Sequence, residues 1–365
     1  MKTVESLMEI SGIIIAIIIS GLLSYFFSFF LTRSVHRYKI FDQFKDRNSD
    51  EKDIPRIGGI AIVLTLFISL LLIRLIFAGL FKETEKDISY PLLIIAIFIV
   101  FFLGIYDDLK GADAFKKFLF QVAAAVIIFI GGFKIAEISI PFVGGKTLGF
   151  NPLSFLLTIL WVVGITNAVN LIDGIDGLAV GISFFAALSL GILALFSSQY
   201  QMAAFIAVLL GSMIGFYPYN FPRAKIYLGD SGSLTIGFIL AALSMTTTHR
   251  KISLAVALMI PLIILFLPIL ETSVTIIRRI LKKQNIFQAD RDHLHYRFLK
   301  KGFSETKTTS VLILISAVFS LSGILFNFIQ ANLRVLLFVA IFLICFFLLK
   351  YLGYININYR RSKRR

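Results

Sequence analysis

The stretch Ser11 to Leu31, SGIIIAIIISGLLSYFFSFFL, decides what solvent this chain folds in. It is 21 residues long and carries no charge. A run of ~20 apolar residues, coiled as a helix, crosses the ~30 Å hydrocarbon layer of a bilayer. A secretory leader has a shorter apolar core of ~7–15 residues behind a positive start. Here Met1 to Ile10 places Glu5 and Glu9 beside Lys2, and no small-residue cleavage site follows. The stretch reads as a retained membrane helix.

The same signal recurs along the chain. Apolar runs lie at 10–32, 58–80, 90–106, 116–132, 152–168, 177–197, 200–217, 231–248, 252–280, 310–329 and 333–352. They predict an all-α, polytopic membrane protein of ten or eleven transmembrane helices, with 152–168 a short and weak member. The long run 252–280 holds Pro261 and Pro268, so a kink or break is expected there. Composition agrees: 58% of residues are hydrophobic and 16% charged, with a mean hydropathy of +0.89. One cysteine, Cys345, excludes a disulfide framework. No internal repeat is visible, and the whole chain, 1–365, reads as one membrane-embedded domain.

The net charge of +15 reports topology before anything else. Of the 36 basic residues, 27 fall in the loops 33–57, 107–117, 167–177, 218–230 and 278–309 and in the tail from 350. Basic loops stay in the cytosol. That side is therefore cytosolic, which puts the C-terminus inside and, with eleven spans, the N-terminus outside. Because the charge is spread over separate short loops, a nucleic-acid partner is excluded as the reading. The outer connections are short; the one from Phe133 to Phe150, with Gly144-Gly145, is expected to form a small hairpin. Gly211 and Gly215 are spaced for close helix packing.

Three acidic groups on the basic side sit at helix mouths. They are Asp107-Asp108 after FFLGIY, Asp173 and Asp176 in NAVNLIDGIDGLAVG (Asn167 to Gly181), and Asp230 in YLGDSGS (Tyr227 to Ser233). A carboxylate inside the bilayer costs ~2.5–3.5 kcal/mol. A lone Asp at a helix start is commonly a cap; five acids on one face with almost no basic neighbours favour a site. Asn167, Asn170 and Asp173 are spaced by three and share one side of a helix. Two acids and two amides make a hard-oxygen set, which suits Mg²⁺ with substrate phosphates completing the shell. A polar re-entrant turn satisfied internally is the plain alternative. Asp230 at a glycine-flanked helix start would repel a phosphate unless a cation bridges them. The last loop carries His293, His295, Arg291 and Arg297, a donor set for a diphosphate or sugar. Two histidines without cysteine make zinc a poor fit. Glu271 falls inside a span; pairing with a polar group on a neighbouring helix is its plain reading.

At these motifs the chain resembles the polyprenyl-phosphate N-acetylhexosamine-1-phosphate transferase family. The resemblance runs from residue 33 to about 305, through PRIGG (Pro55 to Gly59), GIYDDLKG (Gly104 to Gly111), NAVNLIDGIDGLAVG, YLGDSGS and HLHYR (His293 to Arg297). It implies that undecaprenyl phosphate attacks the sugar-linked phosphorus of a UDP-N-acetylhexosamine, UMP leaves, and a lipid-linked envelope glycan begins. It implies Mg²⁺, or Mn²⁺ in its place, held by Asn170 and Asp230. Asp107, Asp108 and Lys117 would hold or activate the lipid phosphate, and Asp176 would meet the uracil. Asn167 and Asp173 would serve substrate binding, while His293, His295 and Arg297 would grip diphosphate and sugar. UDP-GlcNAc is the leading donor. Tyr296 is a departure, because GlcNAc-transferring bacterial members commonly carry a further histidine there. The phospho-MurNAc-pentapeptide branch, with a histidine triplet in this loop, fits less well. The resemblance also implies a homodimer in a bacterial inner (cytoplasmic) membrane, with the site facing the cytosol. A secondary transporter is the non-enzyme alternative; it would keep polar sites near the midplane, often with repeats.

Overall fold

A computed structural model describes residues 2–38, 54–77, 88–135, 152–246, 254–284 and 293–354. Among them no strand forms, and thirteen helices account for the fold: α1 Lys2–Tyr38, α2 Gly58–Ile76, α3 Tyr90–Lys110, α4 Ala114–Ile130, α5 Pro152–Ile172, α6 Leu178–Phe196, α7 Tyr200–Asn220, α8 Gly229–Ser244, α9 Leu254–Ile264, α10 Phe266–Leu281, α11 Leu294–Lys300, α12 Glu305–Phe328 and α13 Ala331–Tyr351. The expected hairpin beyond Phe133, the residues Asp290, Arg291 and Asp292, and the basic tail 360–365 lie outside the described residues.

Eight of these helices are long and apolar enough to cross a membrane, and α9 with α10 forms a ninth candidate bent by 84°. The two remaining expected runs are shorter: α4 has 17 residues and α8 has 16. α8 is the central helix. Every residue from Gly229 to Ser244 except Asp230 is buried, and it packs against α2, α3, α5 and α6. Its apolar sequence therefore answers to protein neighbours rather than to lipid. α13 is the opposite case, with Ile341 its only buried residue.

The bend follows from proline chemistry. Pro268 has no N–H, so the carbonyl four residues back, Ile264, loses its helical donor. An unpaired carbonyl in hydrocarbon costs several kcal/mol. Ser320 of α12 supplies the missing donor, its Oγ 2.9 Å from Ile264 O. Beyond the bend, α10 exposes Ile277, Ile280 and Leu281. Its other face buries Glu271, Thr275, Arg278 and Arg279.

α1 and α7 are in extensive contact at the paired glycines. A Cβ on Gly215 would stand 2.7 Å from Tyr25 N, and one on Gly211 would collide with Ser20 Oγ and Ile17 O. The contact is tightened by Ser24 Oγ, which donates to Ser212 O at 2.6 Å. Gly211→Leu should cost about 1–3 kcal/mol through overpacking and lower the thermal midpoint in detergent by several degrees. Gly164→Leu, where a Cβ meets nothing within 4 Å, is the control and should leave the midpoint unchanged.

Candidate active site

The site is assembled where α3 ends and α8 begins. Gly229 takes φ +73°, a left-handed turn open to glycine at little cost, and swings the chain into α8. The first amides of α8 need acceptors. Asp108 provides them: Oδ1 accepts from Asp230 N at 2.8 Å and Oδ2 from Ser231 N at 3.0 Å. A negative charge at a helix N-terminus is favourable. This contact joins residues 122 positions apart and fixes the height of Asp230 against Asp107.

Lys117, on the first turn of α4, then joins the two. Its ammonium lies 2.6 Å from Asp107 Oδ2 and 2.6 Å from Asp230 Oδ2. Asp107 Oδ1 accepts from the Ala112 amide at the turn between α3 and α4. α4 itself starts at Asp113, whose carboxylate accepts from Lys116 N at 2.8 Å. All three charged groups are half-buried, where ion pairs are less screened than on an open surface.

α5 brings in the amides. Asn170 Nδ2 donates to Ser233 Oγ at 2.9 Å, and the Asn170 side chain is also within hydrogen-bonding reach of the Asp230 carboxylate. Asn167, one turn earlier, pairs instead with Gln121 of α4, donating to Oε1 at 2.6 Å. Spacing by three thus puts both amides on one side of α5 but hands them to different neighbours. Asp173 follows α5 and feels the charges of Asp230, Asp108, Asp176 and Arg56. Burial, then the negative charge of Asp230 and Asp108, pushes its carboxyl up to about 8; Arg56 pulls the other way. Asp176 is occupied locally: Oδ2 accepts from Ala224 N at 2.8 Å, and its carbonyl accepts from Thr309 Oγ1 at 3.1 Å.

The PRIGG segment is the partner of YLGDSGS. Tyr227 N donates to Pro55 O at 3.0 Å, while Gly58 N and Gly59 N donate to Tyr227 O and Leu228 O, each at 2.9 Å. The last loop contributes His295, whose ring lies over Gly174. Burial and then His293 hold its imidazole down to about 3, so it is neutral at neutral pH. His293 Nδ1 is paired with Glu271 Oε1 at 2.9 Å. Arg297 donates to Leu352 O at 3.0 Å and stacks 3.7 Å over the Tyr354 ring, contacts that tie α11 to the end of α13.

The structure thus gathers Asp107, Asp108, Lys117, Asn170, Asp173 and Asp230 into one cluster. Asn167, Asp176, His293 and Arg297 make the separate contacts just described. Sequence reasoning passed over Gln121, Ser231 and Ser233; spacing within a segment carries no signal for partners on another helix. A cavity of about 280 Å³ between α6, α7 and α12 is apolar, and none of these carboxylates lines it.

The donor set suits a hard divalent cation. Asp107 Oδ2 and Asp230 Oδ2 flank one position, where the Lys117 ammonium stands between them, and the Asn170 side chain lies beside Asp230. Among the described residues no three acidic or histidine side chains form a complete metal cage.

A family model described as glycosyl transferase family 4 matches residues 90–248. A probable undecaprenyl-phosphate N-acetylglucosaminyl 1-phosphate transferase of Bacillus subtilis is 36% identical over 335 residues, covering 92% of this chain and 90% of that one. An undecaprenyl-phosphate alpha-N-acetylglucosaminyl 1-phosphate transferase of Thermotoga maritima is 31% identical over 301 residues, 81% of this chain and 87% of that one. A phospho-N-acetylmuramoyl-pentapeptide-transferase of Lactiplantibacillus plantarum is 32% identical over 288 residues, 74% and 84%.

The Asp173 shift sets the sign of a pH effect. An unfolded Asp titrates near ~3.9, while the folded carboxyl holds its proton to about 8. The folded state binds the extra proton in between, so with chelator present stability falls as pH rises through that window. Asp173→Asn stays neutral throughout. Its advantage in thermal midpoint over the wild type should widen from pH 5 to 8 in EDTA. A gap that stays constant would reject the crowded-carboxylate picture.

Proposed function

We infer the reaction from one premise: this chain belongs to glycosyl transferase family 4. It is a membrane-embedded phosphotransferase that moves GlcNAc-1-phosphate from UDP-GlcNAc to undecaprenyl phosphate, releasing UMP. The observation that carries this reading is the Lys117 ammonium shared at 2.6 Å between Asp107 and Asp230. One ammonium between two carboxylates leaves this seat, at a helix N-terminus, net negative, so a divalent cation there would let two phosphates meet. The names of the relatives point to the same lipid and sugar.

An oxygen of the lipid phosphate attacks the sugar-linked phosphorus, and the bond to the bridging oxygen breaks, so UMP carries that oxygen away. Both substrates are anions, so the chain's task is to position them and to stabilise their charge. Mg²⁺, when bound, neutralises that charge, with Asp230, Asn170 and Asp107 as the residues that would hold it. The Lys117 ammonium, held between the two carboxylates, is the group of this chain placed to pair with a phosphate oxygen. Asn170 and Ser233 orient the oxygens beside it. A phosphate monoester has its second pKa near ~6, so the acceptor arrives as a dianion and needs no strong base. Asp108 spends both oxygens on backbone amides and acts by holding α8 in place. A single displacement follows, with Asp107 and Asp108 as positioning groups.

The cluster end of the bundle faces the cytosol, where nucleotide sugars are made. The excess of basic residues in the loops on that side supports this placement.

In detergent with undecaprenyl phosphate and Mg²⁺, UMP release from UDP-GlcNAc should exceed that from UDP-MurNAc-pentapeptide, and EDTA should abolish it. Asp230→Asn and Lys117→Ala should each lose at least ~100-fold in kcat, of the order set by one preorganised electrostatic contact, while retaining the wild-type thermal midpoint within a few degrees. Phosphorylated enzyme trapped in the absence of lipid would overturn the single displacement. Orientation has its own test. Ser362→Cys should react with an impermeant maleimide in inside-out vesicles and not in right-side-out ones.

A further inference from the structure

Glu271 lies one turn past the α9–α10 bend and is 2% exposed. A buried carboxylate without partners is strongly unfavourable, and this one has two on the same segment. Oε1 pairs with His293 Nδ1 at 2.9 Å, and Oε2 accepts from Leu294 N at 2.8 Å. Thr275, one turn on, places Oγ1 3.5 Å from the same His293 nitrogen. Leu294 is the first residue of α11, so Glu271 caps that helix from another element. With seven residues, α11 is far too short to hold its own shape. Its placement depends on such tethers.

The consequence appears two residues on. His295 is 2% exposed, and its Nε2 is buried with no hydrogen-bond partner. The ring lies against Gly174, where a Cβ would come within 2.5 Å of both Nε2 and Cε1. Gly174 separates Asp173 from Asp176 by a single further residue. Leaving a buried polar atom unpaired costs ~1–3 kcal/mol, a cost that a ligand oxygen at this turn would remove. The two histidines of the HLHYR segment therefore differ in kind. His293 is spent on an anchor, and His295 carries an open valence beside the carboxylate cluster.

We propose that Glu271 is a positioning residue: it clamps His293 and the first turn of α11 so that His295 delivers Nε2, over the Gly174 turn, to a hydroxyl or phosphate oxygen of the nucleotide-sugar donor. This rests on the donor assignment made above. Glu271 touches no substrate and acts through the loop it holds. The 84° bend at Leu265 is what turns this face of α10 toward the loop.

Glu271→Gln keeps the size and one acceptor but supplies an N–H₂ where His293 needs a carboxylate. It should raise KM for UDP-GlcNAc roughly ten-fold, the scale of one charge-assisted hydrogen bond, and leave KM for undecaprenyl phosphate unchanged. Glu271→Asp keeps the charge and should recover part of the loss; it also serves if the amide variant does not fold. Glu271→Gln combined with His295→Ala should be no worse than His295→Ala alone. Unchanged donor KM, or losses that multiply in the double variant, would overturn the proposal. A second readout needs no substrate. Diethyl pyrocarbonate, followed by mass spectrometry, should modify His295 several-fold faster in Glu271→Gln than in the wild type, and equal rates would overturn the clamp. If the wild type releases no UMP from any UDP-N-acetylhexosamine, the donor assignment falls, and the clamp is judged on the carbethoxylation rate.

Discussion

Two bonds from one carboxylate hold this architecture together at its working end. Asp108 accepts two amides of the first turn of α8, those of Asp230 and Ser231, which fixes the end of α3 against the start of α8. The charged cluster is registered to that junction. Asp107 comes from the residue before the clamp, Asp230 from the helix it caps, and Lys117 spans the gap. Without the cap, the half-buried Asp230 would face unsatisfied amide dipoles and an unregistered partner. The geometry of the carboxylate–lysine cluster is thus a by-product of finishing a half-buried helix end.

The same economy recurs through the bundle. At several points where a group loses its regular partner, a polar atom from a distant element replaces it. Ser320 serves the carbonyl orphaned by Pro268. Asn220 accepts from Gly177 N and donates to Ile226 O, stitching the α5–α6 turn to the loop before α8. Glu271 ends α11 from across the site. In hydrocarbon an unpaired backbone group is costly, and in this chain such repairs also brace the carboxylate cluster and the His293 loop.

Much of this was legible in the residues. Apolar run length marked each of the eight candidate spans among the described residues, but it also counted α4 and α8, which are too short to qualify. The prolines marked the break in 252–280. The bias of acids toward helix mouths identified the end of the bundle where Asp107, Asp108, Asn170, Asp173 and Asp230 meet. What was not legible has a common cause. Hydropathy cannot separate a helix wrapped by protein from one wrapped by lipid, so α8 and α13 read alike although one is nearly all buried and the other nearly all exposed. Periodicity places residues on a face but names no neighbour across it. Asn167 and Asn170 shared a side, yet one meets Gln121 and the other Ser233. The two histidines looked equivalent until Glu271, a residue from a different helix, was seen to engage one of them.

The burial of α8 has a consequence for how the protein lives in different membranes. Helices that touch lipid adjust to bilayer thickness by tilting or by deforming the lipid around them. α8 touches almost none, so its depth is set by α2, α3, α5 and α6 alone. The surfaces left to meet changes in acyl-chain length are those of α13 and the exposed faces of α1 and α12. The Asp230 end of α8 is suspended from protein, insulated from the elastic state of the lipid, and keeps its registry whatever the thickness of the sheet around it.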